Sequence, residues 1–373
     1  MKHTTAINLN KRLIHRVETN TTDEVANMMA ESADIFLCAE RFAREKQQFY
    51  YETPQVIGFA GEVKEPNSYM TADVLGIPVV VTRDTGGVLR AFVNACAHKG
   101  ARVAHGCGNK QRLVCKFHGW TYAMDGTLYG RPKEECFANA DPTCTLRRLP
   151  VSDRSGLIVV GLNADMPQET VDNALSEIEA EFEGFGFQHM HTIETRRIDV
   201  PANWKFIASL SHESYHFATL HRDSVANFLK SNAVFDTFNK HSRWAFPMKG
   251  IERLKNLDEA QWPLTVEGVV NHTVFPATVV ITNPEDAQII RVEPGDRPDS
   301  SVVYFTGVCR HKEKLEDARK AYEFGYQVFT TEDLPVAIEC QQGMAAGQKN
   351  ILIGTNEPVV QFWHSLWREM LIE

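Results

Sequence analysis

Two short segments of the chain each contain one cysteine and one histidine. Cys96 and His98 form the first pair, Cys115 and His118 form the second, and residues 99–114 lie between the pairs. Two thiolates and two imidazoles can hold a tetrahedral zinc ion. They can also hold a [2Fe-2S] cluster that takes two cysteines on one iron and two histidines on the other. The residue types therefore predict a metal centre with one of these two occupants.

The distribution of the ligands favours the cluster. Zinc fingers usually take both cysteines from one loop and both histidines from another, whereas each loop here supplies one of each. Gly100 and Gly119 follow the two histidines and allow the backbone to bend around a cluster, with N–H groups directed at its sulfurs. A structural zinc ion and a set of unrelated buried side chains stay as the alternatives.

The other cysteines do not form a comparable pattern. The chain has eight cysteines and no recognisable export signal, so reduced thiols or metal ligands are favoured over disulfides. We interpret Cys107, Cys136 and Cys144 as buried thiols rather than ligands. The first twenty residues lack the apolar core of a signal peptide, and no later apolar run approaches the length of about 20 residues that spans a bilayer. We therefore expect a cytoplasmic protein.

A second group of candidate ligands lies in the C-terminal half. Asn203-Trp204-Lys205 leads to Glu213 and His216, and His221 follows. The apolar spacing over residues 203–220 predicts a helix, so the two imidazoles would lie on this helix and at its end. Two histidines and one carboxylate leave positions on Fe(II) open for O2 and substrate. Other histidines are interpreted as ordinary core or surface residues: His189, His191, His212, His241, His272, His311 and His364.

These motifs together resemble a known family. The first pattern, followed by Gly119-Trp120-Thr121-Tyr122 and the turn Asp125-Gly126, resembles the Rieske domain of ring-hydroxylating oxygenases over about residues 56–162. Its ligand loops lack the extra cysteines that form a disulfide in respiratory Rieske proteins, so the resemblance is to the ferredoxin-like, lower-potential kind. The segment from Asn203 to His221 resembles the iron-site motif of the same oxygenases. The chain therefore resembles their catalytic alpha subunit.

The resemblance implies a role for each candidate residue. The four Cys and His residues of the first pattern would hold the [2Fe-2S] cluster, and His216 and His221 would hold a mononuclear Fe(II). The third iron ligand would come from a C-terminal helix, predicted here at about 331–344. We choose Asp333 over Glu332, and the alternative for Asp333 is a helix cap.

The resemblance also implies partners. Many family members carry an aspartate at the position of Glu213, three residues before His216, where it bridges a cluster ligand of the neighbouring subunit to an iron ligand. We infer the same electron-transfer role for Glu213 and, by analogy, a homotrimer. The chain has no Gly-x-Gly-x-x-Gly fingerprint, so the electrons must come from a separate protein. The family implies an NAD(P)H-dependent reductase, with or without a ferredoxin.

Length and charge indicate the number of domains and the classes of partner. A chain of 373 residues suggests two domains, and a net charge of -9 without a basic cluster argues against a nucleic-acid partner. Short β-rich runs predict strands over 56–160, and further strands are predicted over 269–310. Helices are predicted over 22–47 and 167–182, besides those named above.

These patterns give an α+β fold class and three segments. We expect an N-terminal helical segment over 1–50 that packs on the catalytic domain, and an antiparallel β Rieske domain over 51–162. A catalytic iron domain of the helix-grip type, an antiparallel sheet plus a long helix, is expected over 163–373.

The function implied by the resemblance is that of a terminal oxygenase. Such an enzyme uses O2 and reductase electrons to dihydroxylate or monooxygenate a hydrophobic, most simply aromatic, small molecule. One alternative is an oxidative N- or O-demethylase or quaternary-amine monooxygenase, which Glu213 favours because some such enzymes carry glutamate there. Another is a Rieske electron-transfer protein without catalysis of its own. Apolar residues on the strands are expected to form the pocket walls: Phe275, Val279, Ile281, Ile289 and Phe305.

Overall fold

The computed structural model describes residues 1–138, 144–283 and 285–371. These residues divide into two compact units. The larger unit comprises Met1–Phe49, Glu177–Phe185 and Ile193–Glu373, and the smaller unit comprises Tyr50–Ser176 and Gly186–Thr192. The helices and strands of both units follow in chain order.

The described strands and helices have the following bounds. The strands are β1 Met29–Ser32, β2 Gln55–Phe59, β3 Ser68–Val74, β4 Ile77–Arg83, β5 Leu89–Val93, β6 Cys107–Asn109, β7 Arg112–Val114, β8 Thr121–Ala123, β9 Leu128–Gly130, β10 Arg148–Leu149, β11 Val151–Arg154, β12 Leu157–Val160, β13 His191–Val200, β14 Val234–Phe238, β15 His241–Pro247, β16 Gly268–Val274, β17 Thr278–Thr282, β18 Asp286–Pro294, β19 Ser301–Cys309 and β20 Asn350–Ile353. The α-helices are α1 His3–Glu18, α2 Asp34–Leu37, α3 Ala39–Glu45, α4 Gln168–Asp172, α5 Glu179–Phe182, α6 Trp204–Leu210, α7 Leu315–Val328, α8 Leu334–Ala345 and α9 Pro358–Glu369. Two π-helical turns span Lys46–Tyr51 and Phe329–Asp333, and short 3-10 turns span Ala60–Val63, Glu134–Phe137, Phe187–His189, Val225–Asn227, Ile251–Asn256, Glu259–Gln261 and Lys312–Lys314.

The smaller unit is built from short antiparallel strands, as predicted. Among its described residues the strand orders are β10-β5-β4-β3-β6, β11-β12-β2 and β7-β8-β9. Strand β4 illustrates why the sequence forms strands here: it contains Val79, Val80 and Val81, all fully buried, and β-branched side chains pack well on a pleated surface. Its two faces contribute to different hydrophobic clusters, with Val79 and Val81 in one and Val80 in the other.

The division into units differs from the predicted domain boundaries. Residues 163–176 and 186–192 were assigned to the catalytic domain, but they belong to the smaller unit. The side chain of Gln168, in α4, donates a hydrogen bond to the carbonyl of Val151 at 2.9 Å. The ring of Phe187 packs edge-on against Phe59 at 5.2 Å between centroids. These contacts explain why the two segments belong to the smaller unit.

The larger unit contains a long antiparallel sheet with helices packed on it. Over the described residues its strand order is β13-β19-β18-β17-β16-β15-β14. The hydroxyl of Tyr322, in α7, donates to the carbonyl of Phe305 in β19 at 3.0 Å. The indole of Trp363, in α9, donates to the hydroxyl of Ser242 in β15 at 2.9 Å. The predicted α+β class, with an antiparallel sheet and a long helix, is confirmed.

The predicted helix over 22–47 is wrong in its first half. Within this range α2, α3 and the start of the π-helical turn Lys46–Tyr51 are helical, whereas β1 forms an antiparallel pair with β20, in which Met29 lies opposite Ile353. Pairing with a strand more than three hundred residues away cannot be read from local periodicity. The predicted helix over 167–182 is likewise reduced to α4 and α5.

The helix predicted over 203–220 ends much earlier than expected. The side chain of Asn203 accepts the N–H of Lys205 at 3.1 Å and caps α6, which stops at Leu210. Beyond it, the carboxylate of Glu213 accepts the N–H groups of Tyr215 and His216. A side chain that takes these N–H groups competes with helix continuation. His216 and the following residues therefore lie in turns.

No described helix combines the length and the apolar character that a bilayer span requires.

A buried ion pair fixes α6 to the N-terminal segment within the larger unit. The ammonium of Lys205 bonds the carboxylate of Glu45, and both side chains are fully buried. The carboxylate also accepts from the Arg41 guanidinium at 2.8 Å. Burial lowers the pKa of Lys205 to about 8, although Glu45 acts in the opposite direction. The pair therefore compensates only part of the cost of burying the cation.

We expect Lys205→Met to lower the free energy of unfolding by about 3 kcal/mol, because it leaves a buried carboxylate with Arg41 alone. The double variant Lys205→Met with Glu45→Gln should recover much of this loss. Denaturant unfolding of the three proteins measures both effects. As a control, Lys320→Met should leave the midpoint unchanged, since Lys320 and Asp317 are exposed. A single variant as stable as that control would contradict the expectation.

Candidate metal centres

The two Cys/His loops of the smaller unit have the same backbone geometry. The N–H of Gly100 donates to the carbonyl of Cys96 at 2.8 Å, and the N–H of Gly119 donates to the carbonyl of Cys115 at 2.9 Å. The two glycines have φ of 75° and 74°, which a side chain would disfavour. Each loop therefore turns back towards its own cysteine, as the glycines predicted.

The four candidate ligands lie together in an arrangement that fits a cluster. Cys96 and Cys115 are buried, with 3% and 2% exposure, and belong to one hydrophobic cluster. The imidazoles of His98 and His118 lie with ring centroids 4.7 Å apart, and His118 is exposed. Desolvation, together with the nearby His118 and Lys99, lowers the pKa of His98 and favours the neutral imidazole that a metal binds. A [2Fe-2S] group with thiolates inside and imidazoles outside suits this geometry.

Aromatic residues position these ligands. The hydroxyl of Tyr122 lies 3.2 Å from the sulfur of Cys96 and accepts the N–H of Ala97 at 2.9 Å. Burial, followed by the contact with Cys96, raises the pKa of Tyr122 and keeps its proton available to the sulfur. The ring of Trp120 stacks on His98 at 5.1 Å between centroids. In the sequence both aromatics appear only as part of the family motif, and these contacts were not predicted.

The remaining cysteines differ from the prediction. Cys107 and Cys136 are exposed and Cys144 is partly exposed, so the interpretation of these three as buried thiols is wrong. Cys107 lies in β6, whose three residues are all exposed. An edge strand of this kind leaves a small apolar side chain in solvent.

The second centre assembles residues from two distant parts of the larger unit. The Nε2 atom of His221 lies 3.1 Å from Asp333 Oδ1, and that of His216 lies 3.7 Å from the same oxygen. One ligand atom from each of the three residues lies within 4.8 Å of the other two. This spacing suits two histidines and one carboxylate around one divalent ion.

Different local structures supply the three side chains. His216 and His221 lie in the turns after α6, and Asp333 ends the π-helical turn between α7 and α8. Such π-helical turns are frequent at functional sites. Burial lowers the pKa of His221, but the hydrogen bonds and charges of Asp333 and Glu332 outweigh it and raise the pKa overall. A cation is therefore favoured at this place, whether a proton or a metal ion.

A carboxylate also lies at the other nitrogen of each histidine. Glu213 bonds Nδ1 of His216, and Glu332 Oε2 lies 2.7 Å from Nδ1 of His221. Glu332, named as the weaker candidate for the third ligand, thus lies on the far side of His221 from Asp333. Glu213 reaches His216 within a turn, because the helix predicted over 203–220 ends at Leu210.

A cavity of about 520 Å³ opens onto the same three residues. Of the predicted wall residues, Ile281 and Phe305 line it, whereas Phe275, Val279 and Ile289 do not. Phe275 instead packs in the core, edge-on against Phe49 at 5.2 Å between centroids. Ile289 lies between Gln288 and Ile290, which do line the cavity, so the alternation of β18 turns it to the other face. The aromatic lining consists of Phe217, Phe228, Phe246, Phe305, Phe324 and Phe329.

Comparisons with known families agree with this geometry. Residues 187–373 match the ring hydroxylating alpha subunit (catalytic domain), and residues 53–150 match the Rieske [2Fe-2S] domain. The chain belongs to the Rieske ring-hydroxylating oxygenase family. The predicted family, enzyme class and cofactor types are therefore confirmed.

Individual relatives of this Rieske oxygenase are moderately similar. Chloroplastic choline monooxygenase of Beta vulgaris is 30% identical over 206 residues, which cover 53% of this chain and 44% of that protein. The match thus spans less than half of that relative. The carnitine monooxygenase oxygenase subunit of Acinetobacter pittii (strain PHEA-2) is 25% identical over 331 residues, covering 83% of this chain and 84% of that one.

A solved structure has the same fold. It is described as a quaternary ammonium Rieske monooxygenase with insights into carnitine oxidation by gut microbiota and inter-subunit electron transfer. It aligns with a TM-score of 0.76 at 18% identity and covers 94% of this chain and 96% of that one.

The cavity of this Rieske oxygenase also has a polar part that the sequence analysis missed. Asp286 lines it and accepts a hydrogen bond from the Asn283 amide at 2.8 Å. Burial raises the pKa of Asp286. Neither lysine nor arginine occurs among the described lining residues. A carboxylate in the wall of an apolar cavity cannot be recognised from the sequence, because its surroundings come from other segments of the chain.

Proposed function

We propose that this chain is the terminal oxygenase of a multicomponent system that oxidises a small molecule with O2. The [2Fe-2S] cluster and the ferrous ion would each take the ligands predicted for them: Cys96, His98, Cys115 and His118 for the cluster, and His216, His221 and Asp333 for the ion. The observation that carries the proposal is the position of the latter three residues in the wall of a largely apolar cavity.

The arrangement of the chain's own residues suits this chemistry. When bound, the ferrous ion would activate O2 with electrons that arrive through the cluster. His216, His221 and Asp333 would hold the ion from the wall of the cavity, so that substrate and O2 could reach it from the cavity. The phenylalanine lining makes that space largely apolar and would hold an apolar substrate by contact.

Electrons would come from an NAD(P)H-dependent reductase, directly or through a ferredoxin, and would reach the ferrous ion from the cluster of a neighbouring subunit in a homotrimer. We assign the last step to Glu213. Its carboxylate holds His216, and the adjacent Tyr215 is 72% exposed, so this turn lies at the surface of the larger unit. A partner ligand can approach Glu213 there.

We expect Glu213→Gln to retain both metal centres and to lower steady-state turnover by about 10- to 100-fold, the range found when residues that orient metal ligands are replaced. Reduction of the cluster by a surrogate reductase should be normal, while its reoxidation with substrate and O2 slows. Asp223→Asn removes an exposed carboxylate from the same stretch of turns and serves as the control. An unchanged steady-state rate for Glu213→Gln would refute the bridging role.

The substrate that fits best is a small amine with apolar substituents and no carboxylate. Aromatic faces attract an ammonium group, and an ammonium group beside Asp286 would favour the ionised carboxylate that burial disfavours. A carboxylate on the substrate would find no cationic side chain among the described lining residues. The names of the two relatives point to the same broad class. One oxygen atom would enter a C–H bond beside nitrogen, and the other would leave as water with two electrons and two protons.

Hydroxylation of an aromatic molecule is the second candidate, favoured by the phenylalanine rings of the cavity. The two candidates differ in whether a positive charge on the substrate contributes to its affinity. A substrate amine should lose most of its affinity when the nitrogen is replaced by carbon, whereas an aromatic substrate has no such charge.

Coupled O2 uptake tests the proposal. The holoprotein, which should contain about three irons and two labile sulfides per chain, is supplied with NADH and a surrogate reductase. Choline, its uncharged tert-butyl analogue and naphthalene are then compared, with analysis of the products. Uptake with choline but not with the analogue supports amine oxidation, and uptake with naphthalene alone supports the second candidate. A protein without labile sulfide and without iron at the second centre would overturn the proposed function.

A further inference from the structure

The imidazole of His221 is held from both sides by consecutive residues of one turn. Asp333 Oδ1 lies 3.1 Å from its Nε2, and Glu332 Oε2 lies 2.7 Å from its Nδ1. Both carboxylates come from the π-helical turn Phe329–Asp333. One turn of the chain therefore contacts both nitrogens of one histidine.

Glu332 is itself held by the segment that carries His221. The hydroxyl of Ser224 donates to the same oxygen, Glu332 Oε2, at 2.7 Å. The N–H of Ser224 donates to the carbonyl of His221 at 3.0 Å and closes the turn between them. One carboxylate oxygen of Glu332 thus bonds both the ring of His221 and the hydroxyl of Ser224. The side chain of Glu332 is 28% exposed, which leaves these contacts mostly shielded from water.

We propose that Glu332 and Ser224 form a clamp that sets the tautomer and the direction of His221 for metal binding. This inference rests on the proposed function, because it assigns a role around the same ferrous ion. An ionised Glu332 can only accept, so it takes the proton of Nδ1 and leaves Nε2 as the nitrogen that would bind the ion. Nε2 lies 3.1 Å from Asp333 Oδ1, and the ion would replace the proton that this second carboxylate attracts there. Glu332 is a positioning residue and does not itself bind the ion.

The clamp gives a role to Glu332, which is not one of the three candidate iron ligands. Two acidic residues stand side by side in the turn, and only Asp333 joins the three-residue group that could hold a metal. Hydrogen bonds to the second nitrogen of a ligand histidine typically change metal affinity by about 10- to 100-fold when removed. If Glu332 only joined the turn to α8, its replacement would change the thermal stability and leave the Fe(II) affinity unaltered.

Fe(II) titration of variants tests the clamp. The full chain, with its cluster retained and its mononuclear iron removed by a mild chelator, is titrated anaerobically in competition with a colorimetric chelator. Glu332→Ala should bind Fe(II) about 10- to 100-fold more weakly. Glu332→Gln keeps an oxygen that accepts the Nδ1 proton and should recover part of the affinity. Ser224→Ala should show a smaller loss, because the carboxylate stays in reach of His221.

Two further measurements separate positioning from a structural role. The EPR signal of the Fe(II) nitric oxide complex should change in Glu332→Ala, since the ring of His221 is free to turn. Glu339→Gln, an exposed glutamate in α8, is the matched control and should bind Fe(II) as the unmodified chain does.

The possible failures are distinguishable. Normal Fe(II) affinity and an unchanged nitric oxide spectrum in Glu332→Ala would overturn the clamp alone, even if the melting temperature fell. Absence of Fe(II) binding in the unmodified chain would overturn the proposed function together with the clamp. If Glu332→Ala does not fold, an affinity of Glu332→Gln and Ser224→Ala equal to that of the control would overturn the clamp in the same way.

Discussion

His216→Ala is expected to remove the mononuclear iron and abolish turnover while the protein keeps its cluster. The variant deletes one of three ligand atoms that lie within 4.8 Å of one another. The iron content should fall from about three to about two per chain, because a [2Fe-2S] cluster and a single ion account for the total. The cluster ligands belong to the smaller unit and His216 belongs to the larger one, so the colour should persist.

Metal analysis, labile sulfide and O2 uptake on the same preparation test this expectation. His15→Ala is a suitable control, since His15 is an exposed histidine of α1 in the same unit. It should retain about three irons and full activity. Turnover by His216→Ala at the rate of the control would mean that the ion is not held where the geometry predicts.

Cys115→Ser is expected to prevent assembly of the [2Fe-2S] cluster. The sulfur of Cys115 is buried, with 2% exposure, and a hydroxyl is a poor replacement for a thiolate on iron. The variant should lack labile sulfide and the EPR signal of a reduced Rieske centre. Turnover driven by a reductase should disappear, because no electrons reach the second centre. The smaller unit should also be less stable, since metal binding contributes to folding free energy.

The other cysteines of the smaller unit provide the contrast. Cys107→Ser replaces an exposed thiol that belongs to the same unit and should keep the cluster and the activity. Fe(II) binding at the second centre should survive in both variants. About two labile sulfides per chain in Cys115→Ser would exclude Cys115 as a ligand.

Local motifs were sufficient to predict the cofactor types of both centres and to propose ligands for them. Cysteine and histidine at short spacing, each followed by glycine, restrict the chemistry, because the loop itself brings the donor atoms together. The structure brings one ligand atom each of His216, His221 and Asp333 within 4.8 Å of one another and places the rings of His98 and His118 4.7 Å apart. Strand-rich and helix-rich stretches were similarly sufficient for the α+β class, since period and composition are local properties.

Helix ends and strand partners depended on contacts that are distant in sequence. The periodicity after Asn203 continues to residue 220, but α6 ends at Leu210, and beyond that end the Glu213 side chain accepts the N–H groups of Tyr215 and His216. Strand β1 forms against β20 from the other end of the chain. A hydrophobic pattern contains no information on either event.

The different roles of Glu332 and Asp333 could not be predicted from the sequence either. Adjacent residues of a helix point about 100° apart, so spacing alone cannot say which of two acidic neighbours reaches a metal. The tertiary structure decides it by placing His221 between them. It also decides the cavity, whose phenylalanine rings and Asp286 come from separate strands, helices and turns. The sequence by itself determined which chemistry the chain can carry out, and the packing of remote segments determined which side chains surround it, because direction and distance arise only when those segments meet.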